Sequence, residues 1–152
     1  VFATEQTISK YYWHNINSKN SPFVVFIGLT NLIGNKNFNG KNIYYIGDYV
    51  PREHQYIGLS EDELKEYWFN QLKVIFPKFE QKYITDSKLF KFKDAQHIVD
   101  IGFEEKIPDT KTPFKNIYLS NFSQIFPMDR GTNYAVRDGL KAAKIMLESG
   151  DW

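Results

Sequence analysis

The stretch with the most chemical potential is Asp129–Leu147, DRGTNYAVRDGLKAAKIML. A charged pair, Asp129 and Arg130, precedes Gly131, and small residues recur at Ala135, Gly139, Ala142 and Ala143. The spacing predicts a helix from about Thr132 to Glu148 with its buried stripe on Ala135, Val136, Gly139, Leu140, Ala143, Met146 and Leu147. The first turn of a helix leaves N–H groups unpaired and carries the positive end of the dipole, so it can hold an anion or a polar ring edge. Small residues let such a helix approach a ligand or another backbone closely, and they serve tight packing on a sheet equally well.

A second concentration is aromatic. Three successive rings in YYWHNI, Tyr11–Ile16, cannot all face one side of a strand, because side chains alternate. At least one must line a second layer or a ligand pocket. Tyr44 and Tyr45 in NIYYIG divide in the same way. Buried Tyr and Trp each need a polar partner, so these segments are more than plain core. Tyr11, Trp13, Tyr45 and Gln96 are the candidate substrate contacts.

Other chemistries lack residues. His14, His54 and His97 share no metal-ligand spacing, so no metal site is expected. Ser123 has no nucleophile elbow around it, which argues against a hydrolase triad. There is no cysteine, which excludes disulfides and thiolate catalysis. No catalytic residue is assigned. Nineteen Lys and Arg against eighteen Asp and Glu leave almost no net charge, against bulk nucleic-acid binding. No apolar run approaches the eighteen residues of a membrane span. The expected location is the cytoplasm, or peripheral to a membrane. Val1 opens the sequence in mid-element, which reads as a fragment of a longer polypeptide.

The elements that must position these residues follow from pattern. Phe23–Thr30, FVVFIGLT, reads as a buried strand, GNKNFNGKN as a turn, and Asn42–Gly47 as the next strand of a hairpin. Ser60 and Glu63 form a capping box for a helix over 61–76, with Leu64, Tyr67, Trp68, Leu72 and Ile75 on one face and Pro77 at its end. Tyr83–Thr85, Leu89–Phe92 and Asn116–Asn121 read as short strands, and Ala95–Gly102 as another strand or an extended segment. The fold class is α+β: an antiparallel or mixed sheet of five or more strands, covered on one face by the 61–76 helix.

Taken together, NIYLSNFSQIFPMDRGTNYAVRDGLKAAKIML resembles the C-terminal signature of flavin-dependent amine-oxidase-like oxidoreductases. There a strand of the form "nlyxaGd" leads through a loop to a helix beginning with glycine and continuing "GAxxSGxxAA". Gly131, Ala135, Gly139, Ala142 and Ala143 match. YYW, SPFVVFIGLTNLI, YYIGDYVP and AQHIVDIG extend the likeness over nearly the whole chain, toward oxidoreductases related to protoporphyrinogen oxidase and UDP-galactopyranose mutase. The strand ends in Ser120-Asn121 instead of Gly-acid, which moves the acidic contact to Asp129, and Asp138 stands where the family has serine. The dinucleotide fingerprint G-x-G-x-x-G is absent, and GNKNFNG is not one, since it opens no helix.

The resemblance therefore implies a substrate-binding domain over 1–115, and a strand-loop-helix over 116–152 belonging to an incomplete FAD-binding domain. Asp129, Arg130, Gly131, Thr132, Asn133 and Ala135 would contact the FAD ring. The implied partners are a small-molecule substrate and a missing N-terminal FAD-binding region, so the isolated chain should bind FAD weakly or not at all. A nucleotide-sugar mutase-like flavoenzyme is a variant. A stand-alone aromatic-rich domain for sugar or lipid is the alternative.

Overall fold

The computed structural model describes residues 1–150, and the chain forms two compact units, Val1–Lys93 and Asp94–Trp152. The implied functional boundary at 115/116 falls inside the second.

In the first unit β1 (Phe2–Thr4), β2 (Trp13–Asn15), β3 (Val25–Gly28), β4 (Asn42–Gly47) and β5 (Ile84–Ser87) form one antiparallel sheet in the order β2-β3-β4-β1-β5. Three helices belong here: α1 (Leu29–Ile33), α2 (Gln55–Gly58) and α3 (Glu61–Ile75). The fold is α+β with an antiparallel sheet.

Alternation along the strands gives the sheet two faces. Phe2, Phe26 and Tyr44 bury on one face against Phe69 and Leu72 of α3, with Phe23 and Phe79 closing the cluster. Each fully buried ring contributes about 1.5–3 kcal/mol. Tyr44 lies flat on Phe26, centroids 5.0 Å apart and planes 8° apart. Gly28 permits this, because a Cβ there would come 3.0 Å from the Tyr44 ring and 2.4 Å from the Asn31 amide.

α3 has both halves of its capping box: Ser60 Oγ accepts from the Glu63 amide, and Glu63 Oε2 accepts from the Ser60 amide at 2.8 Å. Its buried residues are Leu64, Phe69 and Leu72, with Trp68 and Ile75 packed alongside. Tyr67, expected on this face, is exposed: the stripe is rotated toward Phe69, which fills the space over Phe2 at 5.3 Å.

Two expected strands do not form, and Ala95–Gly102 forms none either. Leu89–Phe92 and Ala95–Gly102 are irregular, and Asn116–Asn121 makes only an isolated bridge, Lys111 to Tyr118. A strand needs a neighbour to satisfy its backbone groups. Around that bridge only Thr110 and Thr112 pair with Leu119 and Ile117, too short a stretch for a strand, and the Leu89 amide is taken by a side chain, Glu61 Oε1. The second unit has one long helix, α4 (Thr132–Ser149). Its expected buried stripe is not buried: Val136, Leu140 and Leu147 are exposed, and Ala142 is the one buried residue. The inward side carries Tyr134, Asp138, Ala142 and Ile145 instead.

Candidate functional site

Two regions hold the candidate residues. In the first unit, Trp13, Ile27 and Tyr45 lie opposite one another across β2, β3 and β4, so they share the face of the sheet that α3 leaves open. Trp13 is 51% exposed and Tyr45 37%. The Trp13 indole N–H donates to Asn15 Oδ1 at 2.9 Å, which fixes the ring's direction. Tyr11 is exposed in the turn ahead of β2, with the Lys10 ammonium 5.2 Å from its ring centre. Beyond Tyr45 opens a cavity of about 670 Å³, in the size range of small-molecule sites. Ile43, Trp68, Phe90 and Phe92 give it apolar walls, and Asp48 contributes a carboxylate. Burial pushes the Asp48 carboxyl above its ordinary value, opposed by the Tyr49 amide that donates to it at 2.9 Å and by nearby His54. Lys65 and Lys88, also in the wall, both pair with Glu61.

In the second unit, Gly131 is the N-cap of α4 in an extended conformation, with no side-chain hydrogen bond to the first turn. The Ala135 amide donates to Gly131 O, so the helical ladder begins there. Asn133 Oδ1 folds over Gly131, 2.7 Å from where a Cβ would stand. Asp129 Oδ1 accepts from the Arg130 amide at 2.8 Å. The Arg130 guanidinium donates to Ala95 O and, at 3.0 Å, to Gln96 Oε1. The structure thus joins a flavin-contact candidate, Arg130, to a substrate-contact candidate, Gln96. Thr132, Asn133 and Ala135 are exposed around this helix start.

Asp138, at the position of the family serine, is held by Arg137 at 2.7 Å, and this pair keeps its carboxyl below the ordinary range. Among the described residues no group of three or more His, Cys, Asp or Glu could hold a metal, and no helix is long and apolar enough to cross a membrane.

One arrangement had no signal in the sequence pattern. Ser9 Oγ lies 2.7 Å from His14 Nε2, and His14 Nδ1 lies 3.0 Å from Phe26 O. The only clue was a serine five positions before a histidine, which means nothing until the turn between them is known.

Comparison with protein-family models, with curated proteins and with solved structures finds no match for this chain.

Proposed function

We propose that this chain is part of a flavin-dependent oxidoreductase of the amine-oxidase-like and protoporphyrinogen-oxidase-like kind, contributing the substrate pocket and the helix that faces the flavin ring. The observation that carries the reading is α4, which is open at its N-terminus and bare along one side. Val136, Leu140, Ala143 and Leu147 recur at spacings of four, three and four, which aligns them on one stripe, and all are exposed. An apolar stripe of this kind calls for a covering layer, and the resemblance names one: the sheet of an FAD-binding region.

The residues at the helix start fit a flavin ring edge. Gly131 has no side chain to hold the ring off. The first-turn N–H groups, uncapped by Gly131, provide fixed positive dipole where a ring carbonyl would lie. Arg130 is held by Ala95 and Gln96, so its charge is positioned before any ligand arrives. When bound, the flavin supplies the hydride chemistry, and preorganised dipoles of this kind favour the negative charge that reduction places on the ring. In the first unit, Tyr11, Trp13 and Tyr45 would contact the substrate. A redox-neutral nucleotide-sugar mutase would use the same parts.

The test is to produce this chain together with the N-terminal FAD-binding region that the reading requires. The complex should be yellow, and Leu140→Glu should abolish it while the chain alone keeps its helix content. A colourless pair refutes the reading. So does submicromolar FAD affinity of the isolated chain, tighter than roughly −8 kcal/mol. The second reading, a stand-alone sugar- or lipid-binding domain, rests on the exposed Tyr45, which lines the cavity, and on exposed Trp13 on the same face of the sheet. Saccharide or lipid binding by the colourless chain without FAD would favour it.

A further inference from the structure

We propose that Ser9 is an activated nucleophile, with His14 as its base, able to take an acyl or phosphonyl group from an activated ester. The argument starts from the tautomer. Phe26 O can only accept, so at 3.0 Å it requires His14 Nδ1 to carry the proton. In the neutral ring Nε2 is then an acceptor, and at 2.7 Å it takes the Ser9 hydroxyl proton. Nucleophile, base and orienting acceptor thus stand in the relation that nucleophilic catalysis requires, with a backbone carbonyl as the third member.

The surroundings hold this arrangement in place. The His14 ring packs against Phe26 at 5.3 Å and edge-on to Phe76 at 5.6 Å. Asn31 Nδ2 donates to both Ser9 O and Tyr11 O, at 2.9 and 2.8 Å, which clamps the turn that carries Ser9. The Ile8 amide just before it donates to Tyr44 Oη at 3.0 Å. Ser9 itself is half-exposed. The Tyr11 amide sits 3.2 Å from Oγ, and the exposed Tyr11 ring, 6.0 Å from His14, offers apolar surface for the acyl body.

In the step, the Ser9 Oγ–acyl carbon bond forms and the ester C–O bond breaks. The hydroxyl proton passes to His14 Nε2 and from there to the leaving alkoxide or phenolate. With a fluorophosphonate the Oγ–P bond forms, fluoride leaves and the proton stays on His14 until solvent takes it. The bland alternative is that the same hydrogen bonds only tie the turn to β2, in which case Ser9 reacts no faster than serine in a free peptide.

The experiment treats the chain with a fluorophosphonate and maps the adduct by mass spectrometry. One adduct at Ser9 is expected, absent in Ser9→Ala and formed about 100-fold more slowly in His14→Gln, the scale of a lost general base. Labelling at the free-peptide rate, or labelling indifferent to His14→Gln, overturns the proposal. Ser9→Cys provides a second reading should His14→Gln fail to fold. The sequence has no other thiol, and a cysteine beside this histidine should alkylate with iodoacetamide at least about tenfold faster than free cysteine near neutral pH. An equal rate also overturns the proposal.

Discussion

Tyr44→Phe isolates one hydrogen bond that anchors the turn ahead of β2. Tyr44 is fully buried, stacked on Phe26 at 5.0 Å and on Phe2 at 5.6 Å, and the phenylalanine keeps both contacts. What is lost is the hydroxyl that accepts from the Ile8 amide at 3.0 Å. A typical net hydrogen bond is worth about 0.5–1.5 kcal/mol, and a donor left buried and unpaired costs about 1–3 kcal/mol. Ile8 is half-buried, so water reaches its amide in part, and a loss of about 1–2 kcal/mol follows from those limits. In a unit of this size each kcal/mol lowers Tm by about 4–8 °C. Urea denaturation should show the midpoint fall at unchanged slope, and amide exchange at Ile8 should quicken more than at Phe26. A loss below about 0.3 kcal/mol with unaltered exchange at Ile8 would refute the reasoning, since the amide would then have an equal partner without Tyr44.

Other outcomes follow from the same geometry. Ser60→Ala should weaken α3 by about 1 kcal/mol, read by helix signal against urea. Glu63 accepts from the Ser60 hydroxyl and amide, which holds its carboxyl below the ordinary value. Its contribution is therefore complete above the unfolded glutamate value of about 4.3 and is lost as pH falls through the lower folded value, whereas Glu63→Gln should flatten that part of the stability profile. Trp13→Phe should change stability by less than about 0.5 kcal/mol, because the ring is half-exposed, while lowering substrate affinity in the flavin-loaded assembly. Unchanged turnover and affinity in both Trp13→Phe and Tyr45→Phe would remove these rings from the pocket. Gly131→Val should leave the helix content of the chain intact, since φ at this position is −164° and only the end of the Asn133 side chain stands in the way. In the assembled protein it should reduce flavin content, and normal flavin content would make Gly131 an ordinary cap.

What was legible in the sequence was local. The Ser60–Glu63 box and the spacing of Leu64, Trp68 and Leu72 place α3 within a residue or so, because the signals and the structure they specify span the same few positions. β3 and β4 were readable as apolar, β-branched and aromatic runs. β1 was missed: its three residues carry little pattern, and it exists because it pairs with β4 some forty positions on and with β5 some eighty positions on. Leu89–Phe92 fails in the opposite way. Its composition suits a strand, but the Leu89 amide is taken by Glu61 Oε1 at 3.1 Å, and Lys91 Nζ donates to Leu59 O. The segment is thus tied to the start of α3 instead of to a strand. Of the site, period two alone puts Tyr44 and Tyr45 on opposite faces, as they are, but it does not say which of Tyr11, Tyr12 and Trp13 leaves the core, and all three are exposed. The joining of Arg130 to Gln96 was not legible, since 34 positions of irregular chain separate them.

α4 shows why a helix can be read correctly and its burial misread. Its composition specifies a period and a stripe, and the helix forms with both. Burial, however, belongs to whatever the stripe meets. Tyr134, Asp138, Ala142 and Ile145 meet the second unit, while Val136, Leu140, Ala143 and Leu147 meet solvent. In proteins most helical stability comes from tertiary packing of one face of the helix and not from propensity. Covering the bare side would therefore stabilise α4 and fix its first turn in the same event. A ligand bound at Gly131 and a layer packed on Leu140 would then act on one element, each strengthening the other's hold by the same free energy. In the flavoenzyme reading, this makes flavin retention depend on a stripe of residues one to four turns from the ring, none of which touches it.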